Sequence, residues 1–470
     1  MQKRNLIVYV FLGSVILAVA GFISGFLLEK DQVSSIELSH HGQSIQNSIY
    51  TRYQGKIYAS VPSNGDYVIP QADPQSFHSL NSDGRYQNRQ FAVDRQYAYC
   101  GNLVVAGFNP KRTQALDHNY FSDGQNTVYC ASMSQRNPDL SGFSEIKQTW
   151  LYGWGFANKP QTYIYEQVRL APSAHPYTAI LDADILSNGQ KVYYKGLEMP
   201  EANPAQLSAI VVPQDDQSIR LSYEFFKDHK SVYFKHNKLA LASNDQLYSF
   251  YIDGLDQAYL YDPTQGQVFV DHLAFNKKLA PYQVMSHYGG HVNHALFLSK
   301  SGVYYYDNQT KQIERAADNP FNMGQWQEIA PLIFSYNNQT YFLQGSERWG
   351  GRKGPGLISR STHLYQLEDA ATGPWEKVAN VTTHHYAEVW KKGNQYYYFD
   401  RLGSTQLIQQ TLYLIADRET LNHLIHDELR PDDIRQLVRN DKLLAVKAKE
   451  ILKATTQYRK LLFGFIALPF

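Results

Sequence analysis

Charge of one sign is the first thing this sequence lacks. Its 470 residues carry 44 basic and 43 acidic side chains, a formal net charge of +1. A chain so balanced has no long-range field to gather nucleic acid, and no DNA or RNA partner is expected. Methionine is scarce, with five copies, and leucine is modest away from the two ends, which argues against a helical bundle. No G-x-S-x-G elbow, H-E-x-x-H helix or nucleotide-binding glycine fingerprint occurs. No cofactor is therefore expected, and an enzyme reading is weakened without being excluded. Cysteine appears only as Cys100 and Cys130.

Aromatic residues are plentiful instead: 36 Tyr, 23 Phe and 6 Trp. Such side chains suit pleated, half-buried positions and point to β-structure. One long apolar run exists. From Asn5 to Leu28 there is no charge, Lys3 and Arg4 precede the run, and Glu29, Lys30 and Asp31 follow it. Its length is enough to cross a bilayer core of roughly 30 Å. The charge step predicts a cytoplasmic tip at 1–4, a membrane anchor at 5–28 and a body beyond the membrane. A cleavable signal peptide is the alternative, with Ala18-Val19-Ala20 as its small residues. Residues 29–49, polar and weakly patterned, read as a linker.

From 50 to 410 one phrase keeps returning. It stands as VDRQYAYC at 93–100, SDGQNTVYC at 122–130, SNGQKVYYKG at 187–196 and KDHKSVYFK at 227–235. Asp94, Asp123, Asn188 and Asp228 lead the copies, and Tyr99, Tyr129, Tyr193 and Tyr233 follow. An Asp or Asn side chain can bond its own backbone two residues on, while the residues after it alternate across a sheet. Asx-Pro or similar corners come between copies, at Ala72-Asp73-Pro74, Phe108-Asn109-Pro110, Asn137-Pro138, Ala202-Asn203-Pro204 and Asp318-Asn319-Pro320. Cys100 and Cys130 close two neighbouring copies. Matching places on adjacent strands can bring them within disulfide range; two buried thiols are the alternative.

These phrases resemble the DKNYY repeat family of bacterial envelope-associated proteins. VDRQYAYCG, SNGQKVYYKG and KDHKSVYFK look like its aspartate-turn-aromatic signature, and QADPQSF at 71–77 looks like its corner. The resemblance covers about 50–245, and Asn188 departs from it by replacing the leading aspartate. It implies architecture and a bacterial envelope location; joined to the charge step, the expectation is a single-pass protein of the bacterial inner membrane, held there through 5–28, with its body in the periplasm. It implies no catalytic residue.

Beyond 245 strands are legible at QLYSFYI, QAYLYD, GVYYYD, QTYFLQ, HLYQL and QYYYFD. The expected fold is an all-β repeat domain over 50–410, propeller-like, with a stacked β-hairpin array as the alternative. Blades of about 40–45 residues would number roughly seven or eight. Closure favours the propeller because it removes exposed edges. The last stretch, 411–470, reads as a helical tail. Leu421, Leu424, Ile425 and Leu429 share one helical face that Pro431 ends. A second stripe runs Leu444, Ala448, Ile451, Thr455, Tyr458 and Leu462. A basic helix over 442–470 can lie on a membrane surface or dock on a partner, or simply pack on the β-domain.

Three constellations carry candidate chemistry. Glu145, Trp150 and Trp154, in EIKQTWLYGWG, mix an acid with aromatics as sugar-binding surfaces do. A glycosidase needs a second carboxylate, for which Asp182 and Asp184 are candidates. Trp349, Arg352 and Lys353 stand in WGGRKGPG, where glycines allow close backbone approach and the two cations can meet an anion. His287, His291 and His294 have helical spacing for a metal, but Gly289-Gly290 disfavours the helix, and solvent-facing loop histidines are the alternative. The expectation is a membrane-anchored, non-catalytic envelope protein whose repeat surface binds a protein or glycan. A cell-envelope glycan hydrolase and a structural stalk are the rival readings.

Overall fold

Short aromatic strands pair with their sequence neighbours into antiparallel sheets, most of them of four strands in simple chain order. The computed structural model describes residues 33–80, 89–213, 218–252, 257–285, 291–321, 325–350, 356–368, 371–381, 387–402, 408–458, 460–462 and 466–468. Two compact units divide the chain: Met1–Ser208 with Lys235–Lys238, and Ala209–Phe234 with Leu239–Phe470.

The first unit holds four sheets, over 43–68, 78–104, 114–169 and 178–199. Helix α1 (Ser35–His41) leads into the first sheet, buries Leu38 and is capped by Ser34. This helix and the strand Gln43–Ser44 fall within the expected linker 29–49. Helix α2 (Gly142–Gly153) sits between the third and fourth strands of the third sheet. Buried tyrosines fasten one sheet to the next. The Tyr50 hydroxyl has the carbonyls of Gln90 (2.6 Å) and Gly101 (2.9 Å) within reach of its one proton. The Tyr120 hydroxyl donates to the Asp184 carbonyl at 3.0 Å and accepts from Gly196 N–H at 2.9 Å. Gly196 has φ +82°, and a Cβ there would stand 2.7 Å from Val168. Only glycine fits that approach.

The second unit contains most of an eight-stranded sheet over 208–274 and a four-stranded sheet over 283–317. Two five-stranded sheets follow, and each recruits its last strand from the chain's end. Ala448–Gln457 pairs with Leu357–Leu367, and Leu443–Ala445 pairs with Leu412–Ile415. Helices α3 (Arg418–His426) and α4 (Pro431–Arg439) precede both contributed strands, and Leu424 and Ile434 are fully buried.

The expected fold class is corrected at several points. The anchor at 5–28 lies outside the described residues, and among the described residues no helix is long and apolar enough to cross a membrane. Separate propeller blades are interrupted where Val211 pairs in parallel with Tyr248, which runs two four-stranded groups into one sheet of eight. Stacked hairpins are not the unit either: among the described residues every sheet but the two-stranded one of 460–468 has at least four strands. Among the described residues the tail is helical only at α3 and α4. Pro431 begins α4, where its fixed φ suits the first helical position. The expected basic helix after Asp441 is strand, because Leu452, Ala454 and Thr456 alternate inward with period two.

Candidate functional site

The repeated phrase is a hydrogen-bonding device. Asp94 Oδ1 accepts from the backbone N–H of Gln96 and Tyr97, both at 2.7 Å, and so closes its own turn. Its Oδ2 accepts from Tyr99 Oη at 2.7 Å and from Asp73 N–H at 2.9 Å, in the preceding corner. Asp123 repeats the arrangement with Gln125 and Asn126, and reaches the Asn109 N–H at 2.9 Å. Asn188 and Asp228 close the same turn two and three residues on. Each leading residue therefore fixes a turn, and the first two also fix a corner. Cys100 and Cys130 are joined in a disulfide, with Cα atoms 5.9 Å apart. The bridge runs between two sheets that share no ladder, beside stacked Phe91 and Phe121.

Glu145 lies in the first turn of α2. Its oxygens are taken by Arg136 Nη2 at 2.6 Å and Thr162 Oγ1 at 3.0 Å. Asp182 and Asp184 meet other groups: His118, at 3.9 Å from Asp182, and Asn119 and Lys195, beside Asp184. No residue of α2 is buried, and Phe143, Ile146 and Trp154 are exposed, while Trp150 is half-buried.

A cleft of about 940 Å³ opens in the second unit. Its lining includes Gln339, Thr340, Trp375, Trp390 and Lys392. Register explains the grouping. Trp375 pairs with Lys392 and Lys377 pairs with Trp390 across Trp375–Val381 and Ala387–Lys392, so two indoles and two ammonium groups share one sheet face. Trp375 Nε1 donates to Thr340 Oγ1 at 3.0 Å and its ring packs edge-on against Tyr397 and Phe399. Trp390 stacks on Phe399 at 5.4 Å and donates its Nε1–H to Glu388 at 2.7 Å. Burial pushes the Glu388 carboxyl up, yet Lys377, the Trp390 indole and Arg401 together hold it below the usual range. The indoles are thereby fixed before any ligand arrives. Half-buried indoles, with the buried Thr340 hydroxyl and Lys392 ammonium beside Trp375 and the exposed Gln339 amide near them, suit a ligand with one apolar and one hydroxylated side. Sequence reasoning passed over this site, because pairing 375 with 392 needs the register.

The turn-and-corner pattern matches a family model, that of the DKNYY family, over residues 50–237. This stretch of the chain belongs to the DKNYY family. No curated protein matches the chain. The DKNYY stretch contains the disulfide, Glu145, Trp150 and Trp154, and the cleft of Trp375 and Trp390 lies beyond it. Aspartate turns continue past the DKNYY stretch, at Asp262 with Thr264 and at Asp307 with Gln309.

Also beyond it, Trp349 is exposed and donates its indole N–H to Glu347 at 2.8 Å. Arg352 and Lys353 lie outside the described residues, as does His287. His291 and His294 are buried, not solvent-facing. His291 Nε2 lies 2.6 Å from Asp400, and His294 contacts the hydroxyls of Thr362 and Thr456. Among the described residues no group of three His, Cys, Asp or Glu side chains can hold a metal ion.

Proposed function

We propose that the protein binds a glycan in the cleft between Trp375 and Trp390. The observation that carries the reading is the paired indoles on one sheet face, held in place by Thr340, Glu388, Tyr397 and Phe399. The apolar C–H face of a sugar ring packs on an indole, and its hydroxyls meet the polar lining, of which Gln339 is exposed and Thr340 and Lys392 are buried. Lys392, the one cation among the described residues of the cleft lining, favours a saccharide carrying carboxylate groups, whereas Lys377 is paired with Glu388. The Cys100–Cys130 bridge supports residence in an oxidising compartment such as the cell envelope, since thiols are kept reduced in the cytosol.

Calorimetric titration with neutral and acidic cell-wall oligosaccharides tests the proposal. Binding is expected, with acidic sugars preferred, and W375A and W390A should each weaken it at least tenfold, about 1.4 kcal/mol. Unchanged binding in both variants, or no saccharide bound by the folded protein, sinks the reading.

A further inference from the structure

Three strands of the second unit lie side by side, with Leu357–Leu367 in the middle, Gln339–Trp349 on one flank and Ala448–Gln457 on the other. Side chains alternate across a sheet, so Ser346, opposite Ser361, shares a face with His363, which is opposite Lys453. On that face Ser346 Oγ lies 2.9 Å from His363 Nε2. His363 Nδ1 lies 2.7 Å from Glu450 Oε2. The carboxylate takes the proton on Nδ1 as a hydrogen bond, which leaves the lone pair on Nε2 facing the serine hydroxyl. The imidazole is 9% exposed and stacks on Tyr365, while Ser346 is open to solvent. Burial keeps His363 below its ordinary range; Glu450 draws it back up and Lys453 presses it down. The ring is therefore neutral and able to accept a proton at pH 7.

We infer that Ser346, His363 and Glu450 form a nucleophile, base and orienting acid that hydrolyse esters of small acyl groups. Ser346 Oγ attacks the ester carbonyl while its proton passes to His363 Nε2. The bond to the leaving alkoxide then breaks, and Nε2–H protonates it. Water, deprotonated in turn by Nε2, attacks the acyl-serine and releases the carboxylic acid and free Ser346. Backbone amides of the paired strands are engaged in the ladder. The developing oxyanion is met by the cations of this face, Lys453 opposite His363 and Arg348 two residues beyond Ser346. Glu450 is a positioning residue. The order Ser346, His363, Glu450 carries no elbow motif, because here the sheet register performs the assembly.

The full-length protein, treated with a fluorophosphonate probe and digested, should carry the adduct on Ser346. The adduct should be absent in S346A and form at least 100-fold more slowly in H363Q. Hydrolysis of p-nitrophenyl acetate should depend on a group titrating below the ordinary imidazole range, and E450Q should slow it and move that midpoint. S346A and E450Q alter accessible side chains, so folding is checked in each by circular dichroism. Folded wild-type protein without an adduct on Ser346 overturns the inference, as does equal ester hydrolysis by wild type and S346A. A glycan-binding result at the Trp375 cleft bears on neither outcome.

Discussion

Asp94 accepts four hydrogen bonds while almost wholly buried, and three of its donors are backbone amides of two separate turns. Asn188, leading another copy, closes its turn but is half-exposed and offers its amide to Ser173. Removing an acceptor leaves buried donors unpaired, and that desolvation is what a variant feels. Asp94→Ala is therefore expected to cost roughly 3–4 kcal/mol and Asn188→Ala roughly 1–2 kcal/mol. Urea unfolding of the two variants measures the difference. Equal losses would mean that the turn alone, and not its tie to the Asp73 corner, sets the value of the leading residue. The same reasoning says why this device was legible in the sequence. Its turn is local, and an Asx side chain two residues from its amide partner needs no knowledge of the fold.

Element by element, legibility follows the sequence distance over which a feature is assembled. Strands such as Val192–Tyr194 and Gly302–Asp307 announce themselves through aromatics after a polar turn. The Trp375–Lys392 pair spans a hairpin and requires its register. Ser346, His363 and Glu450 require three strands, the last recruited across two helices. The final strand also shows how two periods compete. Leu444, Ala448, Ile451 and Thr455 fit a helical stripe, but Leu452, Ala454 and Thr456 fit an alternating one, and the open edge of Leu357–Leu367 decides between them. Nine residue pairs join those strands, and Leu452 and Ala454 belong to the unit's largest core cluster. A chain ending at residue 447 is thus expected to lose cooperative unfolding in its second unit and to aggregate through the bared edge. Sedimentation and near-ultraviolet circular dichroism read this directly. A soluble monomer with native tertiary signal would mean that the last strand is dispensable.

At the scale of the whole chain, the two units carry different sensitivities. The first is closed by a disulfide across 30 residues, which the chain-entropy model values at about 3–4 kcal/mol. The second holds His294 among Thr362, Thr456 and the edge of Tyr305. Burial pushes this imidazole down to about 3, with Arg360 and His363 adding to the shift. A histidine depressed in the folded state binds more protons when unfolded. Its contribution is intact above the unfolded value near 6.5 and drains away as pH falls toward 3. Between pH 7 and pH 5 the loss is about 2 kcal/mol. Pulsed proteolysis in urea, with fragments assigned by mass spectrometry, follows each unit separately. Reductant at pH 7 should lower the urea midpoint for cleavage within 33–208 and leave that within 239–458 in place. Acidification from pH 7 to pH 5 should lower the midpoint of the second unit, and His294→Asn should remove most of that slope. Equal acid sensitivity in wild type and His294→Asn would transfer the effect to the carboxylates. Loss of the second unit's midpoint on reduction would mean that the two units do not unfold independently.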